Sequence, residues 1–139
     1  MIPSLKPRQV PDYLIKIAKD QINDVLMHVK GVDFIMICSS DGFELETVSR
    51  RDALNSSKLA AVSSSILAMV SAFLNEIELT GCQSITLDAE NGKAILTAVP
   101  CEKNPMVIVT LSAKDVLLGQ LLYSLKQAKQ TILQADQAF

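Results

Sequence analysis

Few residues in this chain have the chemistry to act on a substrate: one histidine, three cysteines, an arginine pair and a run of serines. A cysteine or serine nucleophile needs a base to take its proton, and His28 is the sole imidazole. Ser63, Ser64 and Ser65 have no flanking glycine, so the sharp turn that exposes a catalytic serine has no basis here. Cys38, Cys82 and Cys101 are widely spaced, without a C-x-x-C pair, and a zinc site built with His28 would need scattered ligands. The three read instead as reduced, mostly buried thiols of a cytoplasmic protein. No phosphate-binding loop or dinucleotide fingerprint is present. Glu44 and Glu46 alternate with apolar residues, the pattern of a solvated strand face. Arg50 and Arg51 allow two readings. An arginine supplied to a partner can neutralise charge on a transferring phosphoryl group, whereas adjacent loop arginines are also ordinary surface charges. The expectation is a protein without catalysis, cofactor or metal.

The elements around these residues are set by composition first. A chain of 139 residues suits one domain. With 49% hydrophobic and only 20% charged residues, some apolar groups are expected to lie against another subunit. A net charge of −2 and scattered lysines argue against nucleic acid, whose binders carry a basic stripe. Residues 59–75 carry no charge, but Ser63, Ser64, Ser65 and Ser71 interrupt them and the stretch is short for a span, so no membrane insertion is expected.

Residues 1–10, with Pro3 and Pro7, suggest a flexible arm ahead of a single domain over 11–139. From Pro11 to Lys30 the spacing of Leu14, Ala18, Ile22, Val25 and Val29 predicts an amphipathic helix that Gly31 stops. Val32–Ser39 and Phe43–Val48 flank Asp41-Gly42 as a hairpin. Arg50–Asn55 is a polar loop, and Ser56–Leu79 is a long helix capped by Asn55 or Ser56 and closed by Gly81. Gln83–Asp88 and Ala94–Val99 flank a second turn at Asn91-Gly92, and Met106–Leu111 follows the loop 100–105. Ser112 with Asp115 resembles a capping box opening a last helix, whose Leu117, Leu118, Leu121, Leu125, Ala128 and Ile132 share a face.

Val32–Cys38, Ala94–Val99 and Met106–Leu111 are apolar on both faces, as central strands are. Phe43–Val48 and Gln83–Asp88 alternate, as edge strands do. The order α-β-β-α-β-β-β-α then gives an α/β (α+β) fold: one five-stranded antiparallel sheet, order 2-1-5-4-3, with helices on both faces. In the second helix, Leu59, Val62, Ile66, Met69, Val70, Phe73 and Ile77 are expected to pack on the sheet. Ala61, Ser64, Ala68, Ser71, Ala72 and Asn75 gather opposite, without the Lys and Glu of a solvated face. Small side chains let another backbone approach, so this face is a candidate interface; an Ala/Ser surface chosen for helix propensity alone is the other reading. Gln83–Asp88 has no Pro or Lys to blunt it, so Ser84 and Thr86 stand on an edge open to pairing unless a loop or the arm covers it.

The Ser40-Asp41-Gly42-Phe43 hairpin, the small-residue second helix and Leu118-Gly119-Gln120-Leu121, within that element order, resemble the roadblock / dynein light chain family over about residues 12–133. The long Cys101–Pro105 loop and the lack of glycine in the last two strands depart from many bacterial members. The resemblance implies first and third helices on one side of the sheet and the second on the other. It also implies a homodimer with third strands edge to edge and second helices side by side. Members bind small Ras-like GTPases or serve as scaffolding light chains, and some bacterial ones stimulate a partner's GTP hydrolysis without an arginine finger of their own. The function this implies is a non-catalytic dimeric regulator or scaffold for a Ras-like GTPase, with the second helix and its flanking loop, Arg50 and Arg51 included, as the GTPase-contacting surface. A ligand-sensing or adaptor module, with a pocket between sheet and helix, is the alternative. An enzyme using Cys38 or His28 is the third reading.

Overall fold

β1 (Val32–Ser39), β2 (Glu44–Ser49), β3 (Ser84–Ala89), β4 (Gly92–Val99) and β5 (Met106–Ser112) form one antiparallel sheet in the order β2-β1-β5-β4-β3. α1 (Asp12–His28) precedes β1, α2 (Ser56–Glu76) joins β2 to β3, and α3 (Leu118–Gln137) ends the chain, so the expected order and topology hold. The computed structural model describes residues 10–51 and 54–138. Residues 1–9 of the expected arm, and 52–53 of the expected polar loop, lie outside these. Val10, placed at the end of the arm by the sequence, is buried in the core.

The strands with apolar residues on both faces are central because only there can both faces be covered. Alternate residues of β1 divide between two cores. Ile35 and Ile37 join Leu14, Ala18 and Ile22 of α1 and Leu121, Leu125 and Ile132 of α3. Phe34, Met36 and Cys38 join Leu96, Val107 and Val109 on the opposite side, under Ala60 of α2. α1 and α3 therefore share one side and α2 stands alone on the other.

The β1–β2 turn is tight: Ser39 N–H donates to Phe43 O at 2.8 Å and Gly42 N–H to Ser39 O at 3.0 Å. Gly42 has a φ of 96°, and a Cβ there would stand 3.3 Å from Ala61 Cα, so the turn also seats α2. Ser64 of α2 completes the contact, its Oγ donating to Ser40 O at 2.5 Å.

Three local expectations are corrected. The second turn is Glu90-Asn91, because Gly92 already pairs with Ala89. Gly92 is needed for close approach, since a Cβ would lie 2.9 Å from Ser112 O. Ser112 caps no helix. It ends β5, paired with Val32 and Lys93, and α3 starts after Leu117 without a side-chain cap. Finally, α2 stops at Glu76, short of Leu79. Leu79 N–H donates to Leu74 O at 2.8 Å and Glu78 N–H to Asn75 O at 3.1 Å, the paired bonds of a left-handed helix end. The residue that turns there is Glu78, at φ 64°, while Gly81 serves the loop beyond.

The loop from Cys101 to Pro105 is held from the far end of the chain. Asp136, only 1% exposed, accepts from Asn104 Nδ2 at 2.9 Å and from Lys103 N–H at 3.2 Å. Burying a carboxylate is tolerable only with such donors, so loop and helix end are mutually dependent.

A left-handed φ costs a residue with a Cβ about 1 kcal/mol relative to glycine. Glu78→Gly is therefore expected to stabilise the protein by about 1 kcal/mol, read as a higher denaturant midpoint at unchanged m-value. A lower midpoint would show that the Glu78 side chain contributes more than its backbone costs.

Candidate interaction surface

α2 meets the sheet through Leu59, Ala60, Ser63, Ile66 and Leu67, with Ala60 and Ser63 fully buried. This corrects the expected packing face. Val62 is 45% exposed, Met69 71% and Phe73 60%, and Ile77 also lies open just beyond the helix. Relative to the expectation, the helix is rotated by roughly a fifth of its 3.6-residue turn. The reason is the surface beneath it. Phe34, Met36, Leu96 and Val109 are bulky, so the nearest helix positions must be small, and the seat at Gly42 and Ser40 holds that orientation.

Of the candidate interface residues on α2, Ala61, Ala68, Ala72 and Asn75 face outward. Ser64 and Ser71 are half-buried, and Ser64 is committed to Ser40. The outward surface is thus a small-residue strip flanked by Val62, Met69 and Phe73, more apolar than the sequence pattern suggested.

β3 is a terminal strand of the sheet, as its alternation predicted. Ser84 and Thr86 are exposed on it, in register with Thr97 and Ile95 of β4. Those rows continue to Ile108 and Thr110, so both side chains stand on the α1–α3 side, opposite α2. Leu87 stands on the α2 side, in a row with Ala94, Leu111 and Phe34, and is 44% exposed.

Arg50 and Arg51 are both engaged within the chain. Arg50 Nη2 donates to Leu26 O at 3.3 Å, at the end of α1. Arg51 Nε pairs with Asp33 Oδ2 at 2.8 Å. These bonds tie the loop before α2 to α1 through Arg50 and to β1 through Arg51.

The residues with chemical potential remain apart. His28 is exposed on α1, its Nδ1 2.8 Å from Asp24 O. Cys38 is buried on the α2 side, where Sγ donates to Val107 O at 3.6 Å. Burial and the nearby Glu44 push the Cys38 thiol up to about 12. Burial and Asp136 push Cys101 likewise to about 12. Neither is a poised nucleophile. Among the described residues no group of three His, Cys, Asp or Glu side chains is placed to hold a metal.

A two-sided α+β sheet with an unshared helix and a free edge strand is the outline of a small module, and among the described residues no catalytic group is assembled in it. The chain belongs to the Roadblock/LC7 domain family, whose pattern it matches over residues 19–112. No curated protein matches its sequence. Its fold is similar to that of the gliding protein MglB from Thermus thermophilus, with TM-score 0.84 and 13% identity over 97% of this chain and 100% of that one. Myxococcus xanthus MglB aligns with TM-score 0.83 and 9% identity, over 94% of this chain and 95% of that one. A Roadblock/LC7 domain from Streptomyces avermitilis aligns with TM-score 0.71 and 10% identity, over 89% of this chain and 95% of that one.

The burial of Cys38 and Cys101 sets an expected result. In the native protein a thiol reagent at neutral pH should modify at most one cysteine per chain, the half-buried Cys82, and should reach the other two only in denaturant. Rapid native modification of Cys38, located by mass spectrometry, would reopen the nucleophile reading.

Proposed function

We propose that this protein is a non-catalytic, cytoplasmic homodimer that binds a small Ras-like GTPase through the α2 surface and modulates or scaffolds it. The observation that carries this reading is the open face of α2. Val62, Met69 and Phe73 are each close to half exposed or more, beside Ala61, Ala68 and Ala72. A contiguous apolar face on a soluble chain calls for cover, and small residues at its centre let a second helix come near. The terminal strand β3 supports the same reading, since its outer edge has unpaired backbone groups. An MglB of similar fold, TM-score 0.84 at 14% identity, is described in a tetrameric arrangement, which supports assembly of like chains.

In the dimer two α2 helices lie side by side and two β3 strands pair, with Ser84 and Thr86 near the joint. The GTPase docks where the two α2 helices present their ends and the Arg50–Arg51 loop. The intramolecular bonds of both arginines give them the task of shaping that loop rather than reaching a nucleotide.

The test is Ala68→Arg, at the centre of the small-residue strip. An arginine there prevents close approach and is desolvated without a partner, at a cost of several kcal/mol. Sedimentation equilibrium should show the parent as a dimer at micromolar concentration and the variant weakened by at least about a hundredfold. Binding of a Ras-like GTPase should fall with it. Asn23→Arg, on the exposed face of α1, should change neither. A monomeric parent, or an Ala68→Arg protein that still dimerises and binds the GTPase, would refute the assignment.

A further inference from the structure

α3 packs on α1 and on β4 but leaves the inner face of β3 open, and a groove of about 460 Å³ runs between α3 and the β3–β4 hairpin. Ser84, Thr86 and Asp88 are exposed on that face. The charged residues of α3 are Lys126, Lys129 and Asp136, and Asp136 is buried against the 101–105 loop. The charges left on the surface of this helix are therefore all positive, and both line the groove. A helix face that only meets water usually mixes the two signs. Positions 122, 126, 129 and 133 form one stripe, so the half-buried Leu122 and Leu133 flank the lysines.

Neither lysine has a carboxylate partner among the described residues. Lys129 Nζ donates only to the neutral Gln83 Oε1, at 2.9 Å. Burial, with Lys126 adding repulsion, holds its ammonium below the ordinary value, so a nearby anion would relieve it. Asp88, at the far end of β3, is already taken by Lys93 and Lys114.

The next step rests on the homodimer proposed above. With both α2 helices on one face of the joined sheet, the two grooves open side by side on the other, across the paired β3 strands. β4 and its copy are then three strand spacings apart, about 14 Å. Each α3 sits over β4 and is drawn towards α1, so the two helix axes are at least that far apart. Helices in contact lie about 8–10 Å apart, so the α3 copies do not meet. The grooves merge into one trough with a pair of lysines on each wall.

We infer that this trough docks one acidic amphipathic helix of a partner protein, its apolar stripe against Leu122 and Leu133 and its carboxylates on Lys126 and Lys129 of both walls. A helix with its side chains is about 10–12 Å wide and fits a gap too broad for α3 to close on its copy. Residues 1–9 of this chain carry Lys6 and Arg8 and no acidic residue, so they do not complement the trough. A second dimer would oppose lysine to lysine. The site lies opposite α2, so the dimer can hold this partner and a GTPase together.

Isothermal titration of the full-length protein tests this with a synthetic helical peptide of about 18 residues, roughly 27 Å long, built of Leu, Ala and Glu with the leucines on one face. Saturable binding at one peptide per two chains is expected, with a dissociation constant below about 100 μM that rises with salt. The same peptide with Lys for Glu should bind at least about tenfold more weakly. Lys126→Glu and Lys129→Met should each weaken the acidic peptide at least about tenfold, while sedimentation shows both variants still dimeric. Ala68→Arg, by separating the protomers, should weaken it as much. A dimeric parent without saturable binding would overturn the trough and leave the dimer standing, whereas a monomeric parent would overturn both. Binding of one peptide per chain, equal binding of the lysine peptide, or unchanged affinity in both lysine variants would also overturn it. So would tighter binding of an oligothymidylate than of the acidic peptide.

Discussion

β1, β4 and β5 put buried side chains on both sides of the sheet, so two apolar surfaces have to be covered at once. α1 and α3 cover one as a pair, while α2 is alone on the other. Five strands at about 4.8 Å spacing present roughly 20 Å of width, and a helix with its side chains spans about 10–12 Å. One helix cannot close that side. Leu87 and the outer arc of α2 stay exposed for this reason.

The orientation of α2 follows from the same shortage. A helix alone on a bulky surface gains most by approaching closely, which places Ala60 and Ser63 at the contact and turns larger side chains aside. The seat built by Gly42, Ala61, Ser64 and Ser40 fixes that choice from the β1–β2 turn. Val62, Met69 and Phe73 are thereby left facing outward. The sheet contact and the exposed apolar arc are two results of one packing decision.

On the paired side the covering is uneven. α3 is drawn towards α1 by the shared core of Leu121, Leu125 and Ile132, and the inner face of β3 receives less cover. The groove beside Thr97 arises there. Its lysines keep the opening polar, which separates it in character from the apolar α2 face on the other side of the sheet.

Much of this was legible in the residues. The strands Val32–Ser39 and Met106–Leu111 announced two buried faces, and the alternation in Phe43–Val48 and Gln83–Asp88 announced edges, so the strand order followed from local pattern. Helix ends and the α2 packing face were not legible. A run that is apolar or small all round has no unique wheel orientation, and Phe34 and Met36, distant in sequence, chose it. Glu78 took the left-handed turn although Gly81 stood near, because the Leu74–Leu79 closure came first. The burial of Asp136 beside Asn104 and of Thr97 without a partner depends on groups about thirty residues or more away or on another element. Periodicity along the chain therefore determined which elements form and which strands lie inside. Only the tertiary structure decided which side chains remain without cover, since that depends on the shapes of neighbours brought together from distant parts of the sequence.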